Sequence, residues 1–233
     1  MFRIVLRCKV TPMKKLKVFL FSLFLTTITV ANAQEIYLLG GLNFSNQSAK
    51  DNFVNHARED EYKTRVSMHL GILFDIPITN NFSVESGLMY NPKGYKLVAT
   101  NGILTATLKS KPQYLELPIL AKYQHSLNDN MGLYGMVGPV IGFAISGGFT
   151  YTEKANGEKA KDHGKLKFGT TRESDYKRLD FGLMISTGVT FSKIRAGFFY
   201  QPGLINVAPH SLNGYKSRTR VFGLSVGYTL KSN

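Results

Sequence analysis

At 233 residues, 43% of them apolar, the chain has room for one domain and little more. Glycine (22), phenylalanine (16) and tyrosine (12) are plentiful while only 19% of residues are charged, a mixture that suits short strands better than helices. The formal charge of +14 suggests nucleic acid until it is located: six basic residues, from Arg3 to Lys17, precede the first acid, Glu35. The remaining 23 basic and 15 acidic residues offer no aromatic-and-basic groove, which excludes nucleic acid as the partner.

The first segment reads as an export signal. Met13-Lys-Lys-Leu-Lys17 is a basic stretch, Val18 to Val30 is apolar, and Ala31-Asn-Ala33 is a small-residue cleavage site. A transmembrane helix would need roughly 20 apolar residues, more than this segment supplies. Residues 1–33 are therefore expected to be a signal peptide, with Met13 as an alternative start, and 34–233 to be one domain beginning at Gln34. Cys8 lies upstream of the apolar stretch, so it is no lipoprotein anchor, and the exported chain carries no disulfide.

Beyond Gln34 the apolar period is two, not 3.6. Near the C-terminus Phe222, Leu224, Val226, Tyr228 and Leu230 share one face, opposed by Val221, Gly223, Ser225, Gly227 and Thr229. From Leu179 to Phe191 the pattern repeats. A soluble barrel would point its large apolar set inward and show Lys, Glu and Gln to water. Here the second face is mostly Gly, Ser and Thr, which suits the crowded interior of a narrow barrel whose large apolar face meets lipid. Similar runs occur at 35–44, 66–77, 82–91, 113–124, 131–146, 178–191, 194–203 and 219–230. The fold class expected is all-β: an eight-stranded antiparallel up-and-down transmembrane β-barrel behind a cleaved signal peptide.

The connections alternate in length. Thr79-Asn-Asn81, Leu127 to Asn130 and Ser192-Lys193 are short turns, and the other four are polar loops of about 15 to 30 residues. Tight periplasmic turns and longer extracellular loops are the outer-membrane pattern, and an even strand count puts both termini in the periplasm. Phe191 and Ile194 flank the two-residue turn and should face each other on the lipid side. Phe82, Tyr123, Phe191 and Tyr228 should form one aromatic girdle, and Tyr90, Phe143, Phe181, Tyr200 and Phe222 the other. Pro118 and Pro139 lie inside strands, where bulges or kinks are expected.

Several segments carry a family resemblance: Gln113-Tyr-Leu-Glu-Leu-Pro-Ile-Leu-Ala-Lys-Tyr123, Tyr134-Gly-Met-Val-Gly-Pro-Val-Ile-Gly142, Leu179-Asp-Phe-Gly-Leu183, and Arg195 to Asn206 with Tyr200 and Gly203-Leu-Ile-Asn206. Together they resemble the PorT-like outer-membrane β-barrel family of the Bacteroidetes, over essentially all of Gln34 to Leu230. Two departures stand out. Gly197-Phe-Phe-Tyr200 alters the usual spacing, and Val226-Gly-Tyr-Thr-Leu230 lacks the common final aromatic residue. The resemblance implies an outer-membrane barrel. One family member is associated with the apparatus that secretes cell-surface proteases, which by analogy implies envelope or secretion proteins as partners.

Parity places six ionisable residues in the lumen: Asp75, Glu85, Glu116, Lys122, Asp180 and Arg195. Counting from the short turns, Asp75, Glu85, Lys122 and Arg195 should share a periplasmic layer, with Glu116 and Asp180 higher, near His69 and Arg178. Tyr114, Met184 and Phe199 should crowd the same interior. A filled eight-stranded lumen makes unpaired charge costly, so a buried ion-pair network is expected; a proton or ion path is the alternative. Histidines 56, 69, 125, 163 and 210 are isolated, which argues against zinc, and no G-x-S-x-G elbow suggests a hydrolase.

The reading is a non-enzymatic, monomeric outer-membrane barrel with a closed lumen, no cofactor or metal, and extracellular loops that bind. Basic residues from Lys154 to Lys177 suggest the phosphates of lipopolysaccharide as a partner. The alternatives are a narrow porin-like channel and a lipid-modifying enzyme using loop residues such as Asp51, His56, Asp162 and His163.

Overall fold

The computed structural model describes residues 35–50, 62–156, 158–209 and 216–232. The expected signal peptide, its cleavage site and Cys8 lie outside these, as do Asp51, His56 and His210. Eleven strands follow one another: β1 (Glu35–Lys50), β2 (Tyr62–Lys63), β3 (Arg65–Pro77), β4 (Phe82–Pro92), β5 (Tyr95–Asn101), β6 (Leu104–Asn128), β7 (Met131–Ala155), β8 (Glu158–Lys165), β9 (Leu179–Phe191), β10 (Ile194–Pro202) and β11 (Lys216–Ser232).

Eight of these close a ring, in the order β1, β3, β4, β6, β7, β9, β10, β11 and back to β1, and every pairing is antiparallel. The ring follows chain order, so the barrel is up-and-down. Closure pairs the backbone groups between neighbouring strands and leaves no free edge, the condition for a sheet in hydrocarbon.

The short turns hold themselves together. Ile78 N and Thr79 N donate to Phe82 O at 2.8 and 2.9 Å, and Asn128 Oδ1 accepts from Asn130 N and Met131 N at 3.0 and 2.8 Å. Ser192 takes a φ of 52° at the first central position of its hairpin, as in a type II′ turn, and Phe191 faces Ile194. Glu35 pairs with both Asp75 and Ser232, so β1 begins and β11 ends at this short-turn end.

At the opposite end the structure departs from the expected loops. β6 and β7 run far past the barrel wall, paired from Leu104↔Ala155 onward, while β5 and β8 add hairpin partners and β2 adds an edge. Only β8 is polar on both faces; β5 and the outer parts of β6 and β7 alternate Tyr95, Leu97, Leu108, Phe149 and Tyr151 with lysines and threonines, an alternation that lies outside the eight runs read from the sequence.

The prolines correct another expectation. The β6–β7 ladder is interrupted between Pro118↔Val140 and Ala121↔Val137, with the same register on both sides. The register shifts lie elsewhere, at Gln113/Tyr114 and Ser126/Asn128. Here the two strands absorb the missing donors by a gap, not by an inserted residue. Ser86 Oγ donates to Pro118 O at 2.7 Å from the other side, satisfying that carbonyl.

Outward residues such as Leu70, Ile119, Ile141, Ile185 and Leu224 form an exposed apolar band. Phe82 and Tyr123, both expected in the short-turn girdle, touch at 4.9 Å between ring centroids, and Phe222, expected in the loop-end girdle, stacks at 6.1 Å on Phe198.

Candidate functional site

The lumen holds the chemistry, arranged in layers. Next to the short turns, Lys122 Nζ meets Asp75 Oδ2 at 2.5 Å. Across from it Arg195 grips Glu85 with both terminal nitrogens, Nη1 to Oε2 and Nη2 to Oε1, the latter at 3.2 Å. The guanidinium also lies 4.1 Å from the centre of the Tyr37 ring and 5.3 Å from that of Tyr134. Lys122 Nζ sits 5.3 Å from the same Tyr37 ring. Two salt bridges and two aromatic faces thus close the barrel at this level. A planar fork suits Arg for the bidentate half of the layer, since Lys can offer only a point charge.

Above it, Leu39, Leu73, Met89, Leu120, Met184 and Phe199 are buried side by side. The space left among them and the neighbouring side chains is about 30 Å³, room for isolated water and not for a hydrated ion.

The next layer is polar again. Glu116 and Asp180 are both fully buried and share Lys93, whose Nζ lies 2.6 Å from Glu116 Oε1 and 2.7 Å from Asp180 Oδ2. Glu116 also accepts from Asn91 Nδ2 at 2.7 Å and Gln201 Nε2 at 2.9 Å, and Asp180 from Thr219 Oγ1 at 2.9 Å. The chain of contacts continues from Asn91 to Asn43 at 2.7 Å, from Asn43 to His69 Nδ1 at 2.7 Å, and from His69 Nε2 to Ser225 at 2.9 Å. Gly142 packs against this layer: a Cβ there would lie in ordinary contact with Glu116, Tyr114 and Asp180, at 3.4 to 3.5 Å.

All six lumen residues named from parity are buried. The structure brings Asp75 to Lys122 and Glu85 to Arg195, and it brings Glu116 and Asp180 to a cation that sequence reasoning missed. Lys93 follows directly on β4 and keeps the inward parity of Glu85, Met89 and Asn91, but it lies beyond the run 82–91 read from the sequence. Arg178, expected near Asp180, is exposed instead. It lies just before β9, so its side chain is not held to the inward alternation that begins with Asp180.

Two cavities cap the lumen. One of about 220 Å³ opens at the short-turn end among Glu35, Gln124, Asn128 and Thr229. The other, about 310 Å³, lies at the loop end, with Tyr95, Leu108, Phe149 and Leu166 as walls and Gln47, Ser110, Tyr176 and Ser217 beside them. Tyr176 OH and Ser110 Oγ are 2.8 Å apart, and Tyr176 OH donates to Gln47 Oε1 at 3.2 Å. Burial pushes the Tyr176 phenol well above its ordinary pKa.

Of the loop residues considered for acid–base chemistry, Asp162 and His163 are adjacent on β8 and so project to opposite faces. Their one contact joins the His163 backbone N–H to Asp162 Oδ1 at 2.7 Å. Among the described residues, no group of three or more His, Cys, Asp and Glu could hold a metal ion.

Among curated proteins none matches this chain. Several solved structures are similar at low identity. Ail, the attachment invasion locus protein of Yersinia pestis, is 13% identical, with 85% of this chain and 99% of that one covered and a TM-score of 0.34. OprG from Pseudomonas aeruginosa is 14% identical over 86% and 98% of the two chains, with a TM-score of 0.41. Neisserial surface protein A is 12% identical over 84% and 97%, with a TM-score of 0.39. The family model described as outer membrane protein beta-barrel domain matches residues 32–208, and the chain, an eight-stranded antiparallel barrel, belongs to that family of outer-membrane proteins.

Proposed function

We propose that this is a plugged, non-enzymatic outer-membrane barrel that works through what its loop end binds, not by conduction. The observation that carries this reading is the stack of filled layers: two salt-bridged levels separated by an apolar one that leaves about 30 Å³. Ionic groups that satisfy one another across a narrow lumen form a plug, whereas a pore would leave them lining water. Protein reconstituted in planar bilayers should give no stable conductance steps. Steady porin-like steps would replace this reading with that of a narrow channel.

The export signal is cleaved after Ala33, and both termini of the barrel domain lie on the periplasmic side, because β1 starts and β11 ends beside the short turns. Lipopolysaccharide surrounds the loop end and is a partner through its phosphates. The sequence resemblance to the PorT-like barrels supports a place beside envelope or secretion proteins, by analogy. Co-purification of such proteins with the intact barrel, lost when the β7–β8 hairpin is trimmed, would test that association.

A further inference from the structure

The strands that extend past the barrel form a sheet whose two faces differ in charge. Cross-strand register fixes the faces. Tyr95 lies opposite Ser110, and Ser110 opposite Phe149, so these belong to the inward side, which also lines the 310 Å³ cavity. The acids of these strands, Glu153, Glu158 and Asp162, alternate onto that same side.

The outward side continues the lipid-facing wall and carries no acid among the described residues. Lys63 lies directly opposite Lys96, and Lys96 directly opposite Lys109. Lys154 faces Lys159 in the same way. Lys111 and Lys165 flank Gly148 in a row nearer the barrel. Like charges directly opposite one another destabilise a sheet, yet here they recur in separate rows while the acids of these strands among the described residues sit on the other side. An arrangement that is unfavourable alone becomes favourable against a surface of anions.

The height of this face suggests what the anions are. Lys111 and Lys109 lie four and six residues along β6 from Leu115, which pairs with both Tyr90 and Phe143 of the loop-end girdle. At ~3.4 Å per residue and the usual strand tilt, the lysine rows stand roughly 10–15 Å beyond the girdle. The headgroup zone beside such a girdle is only roughly 5–7 Å deep, so the lower row reaches its phosphates by extending the long lysine side chains downward, and the upper row lies within about a Debye length of them. We infer that the outward face of the β2–β5–β6–β7–β8 sheet is a docking surface for the phosphates of lipid A in the surrounding membrane. The inference rests on the outer-membrane reading above.

The test uses the full barrel folded in detergent, with diphosphoryl lipid A and dephosphorylated lipid A as probes. Lys96→Glu places an acid between two lysines. In the absence of lipid it should leave the melting temperature unchanged or raise it, and it should weaken binding of diphosphoryl lipid A at least about tenfold. Lys167→Glu, outside these strands, should leave binding unchanged. The wild type should prefer the phosphorylated probe, and added salt should erode that preference. Equal binding of the two lipids, or an equal loss in both variants, would overturn the assignment. Tighter binding of dextran sulfate than of lipid A would overturn it as well, in favour of a soluble polyanion. If the protein fails to fractionate with outer membranes, the outer-membrane reading itself falls; if it fractionates there and ignores lipid A, only this inference does.

Discussion

Arg195 and Glu85 meet across the lumen from β10 and β4, with Tyr37 stacked against the guanidinium at 4.1 Å from its ring centre. Neither residue has water to fall back on, since Glu85 is fully buried and Arg195 is 4% exposed. The pair holds non-neighbouring strands together inside the barrel, so it acts on closure more than on any one hairpin. Removing one partner should leave the other charged and unpaired, at a cost of about 3–5 kcal/mol. Arg195→Ala and Lys122→Ala should both lower the unfolding midpoint clearly, and Lys159→Ala should be near neutral. The double variant Arg195→Met/Glu85→Met should recover part of the loss in a double-mutant cycle. If Arg195→Ala is as silent as Lys159→Ala, the layer is not an energetic unit.

Lys93 should matter more than Lys122. It serves two carboxylates, Glu116 and Asp180, where Lys122 serves Asp75 alone. Lys93→Met strands two buried negative charges, and Glu116→Gln in the same chain should restore part of the stability. Denaturant unfolding of the three chains decides the point. No rescue would mean that Lys93 acts through packing against the Tyr114 ring, 5.0 Å away, and not through charge.

Two glycines on β7 should behave oppositely. A Cβ on Gly138 would sit 2.0 Å from Ile119 O, beside the interrupted proline step, whereas one on Gly135 meets nothing within 4 Å. Gly138→Ala should prevent the compact, heat-modifiable form on gels. Gly135→Ala should migrate as wild type does.

The buried phenol of Tyr176 gives a pH dependence whose sign can be worked out. Its pKa is raised in the folded chain by burial, so above pH ~10 the unfolded chain releases a proton that the folded one keeps. Stability should be unaffected below that pH and fall above it. Tyr176→Phe should flatten this alkaline loss, at a cost of about 1 kcal/mol at neutral pH for the contacts to Ser110 and Gln47. Melting temperatures of the two chains between pH 8 and 11 supply the check.

Export makes the last expectation. The mature chain should begin at Gln34 and fractionate with outer membranes, showing heat-modifiable migration. N-terminal sequencing of the membrane fraction tests both parts. A soluble periplasmic product would contradict the lipid-facing assignment of Leu70, Ile119 and Leu224.

Alternation alone determined which side of the wall each residue faces, because the period of a strand is two and lipid and lumen demand opposite side chains. That is why Asp75, Glu85, Glu116, Lys122, Asp180 and Arg195 could be placed inward without coordinates, and why Phe191 could be set against Ile194. Pairing across the lumen was beyond that reach. Which acid meets which base depends on strand stagger around the closed ring, a property of all eight strands together. Lys93 was missed because the run read from the sequence stopped at residue 91, although the inward alternation of Glu85, Met89 and Asn91 carries on to it; Arg178, which has the inward parity of Asp180, lies just before β9 and is exposed because no strand holds it. The extended sheet was missed too, since its alternation of Tyr95, Leu97, Leu108, Phe149 and Tyr151 with lysines and threonines lies in segments read as polar loops, and β8 is polar on both sides. Its segregation of lysines from acids becomes visible only when β2, β5, β6, β7 and β8 are laid in register, because charge on a surface is decided by neighbours across strands and not along them.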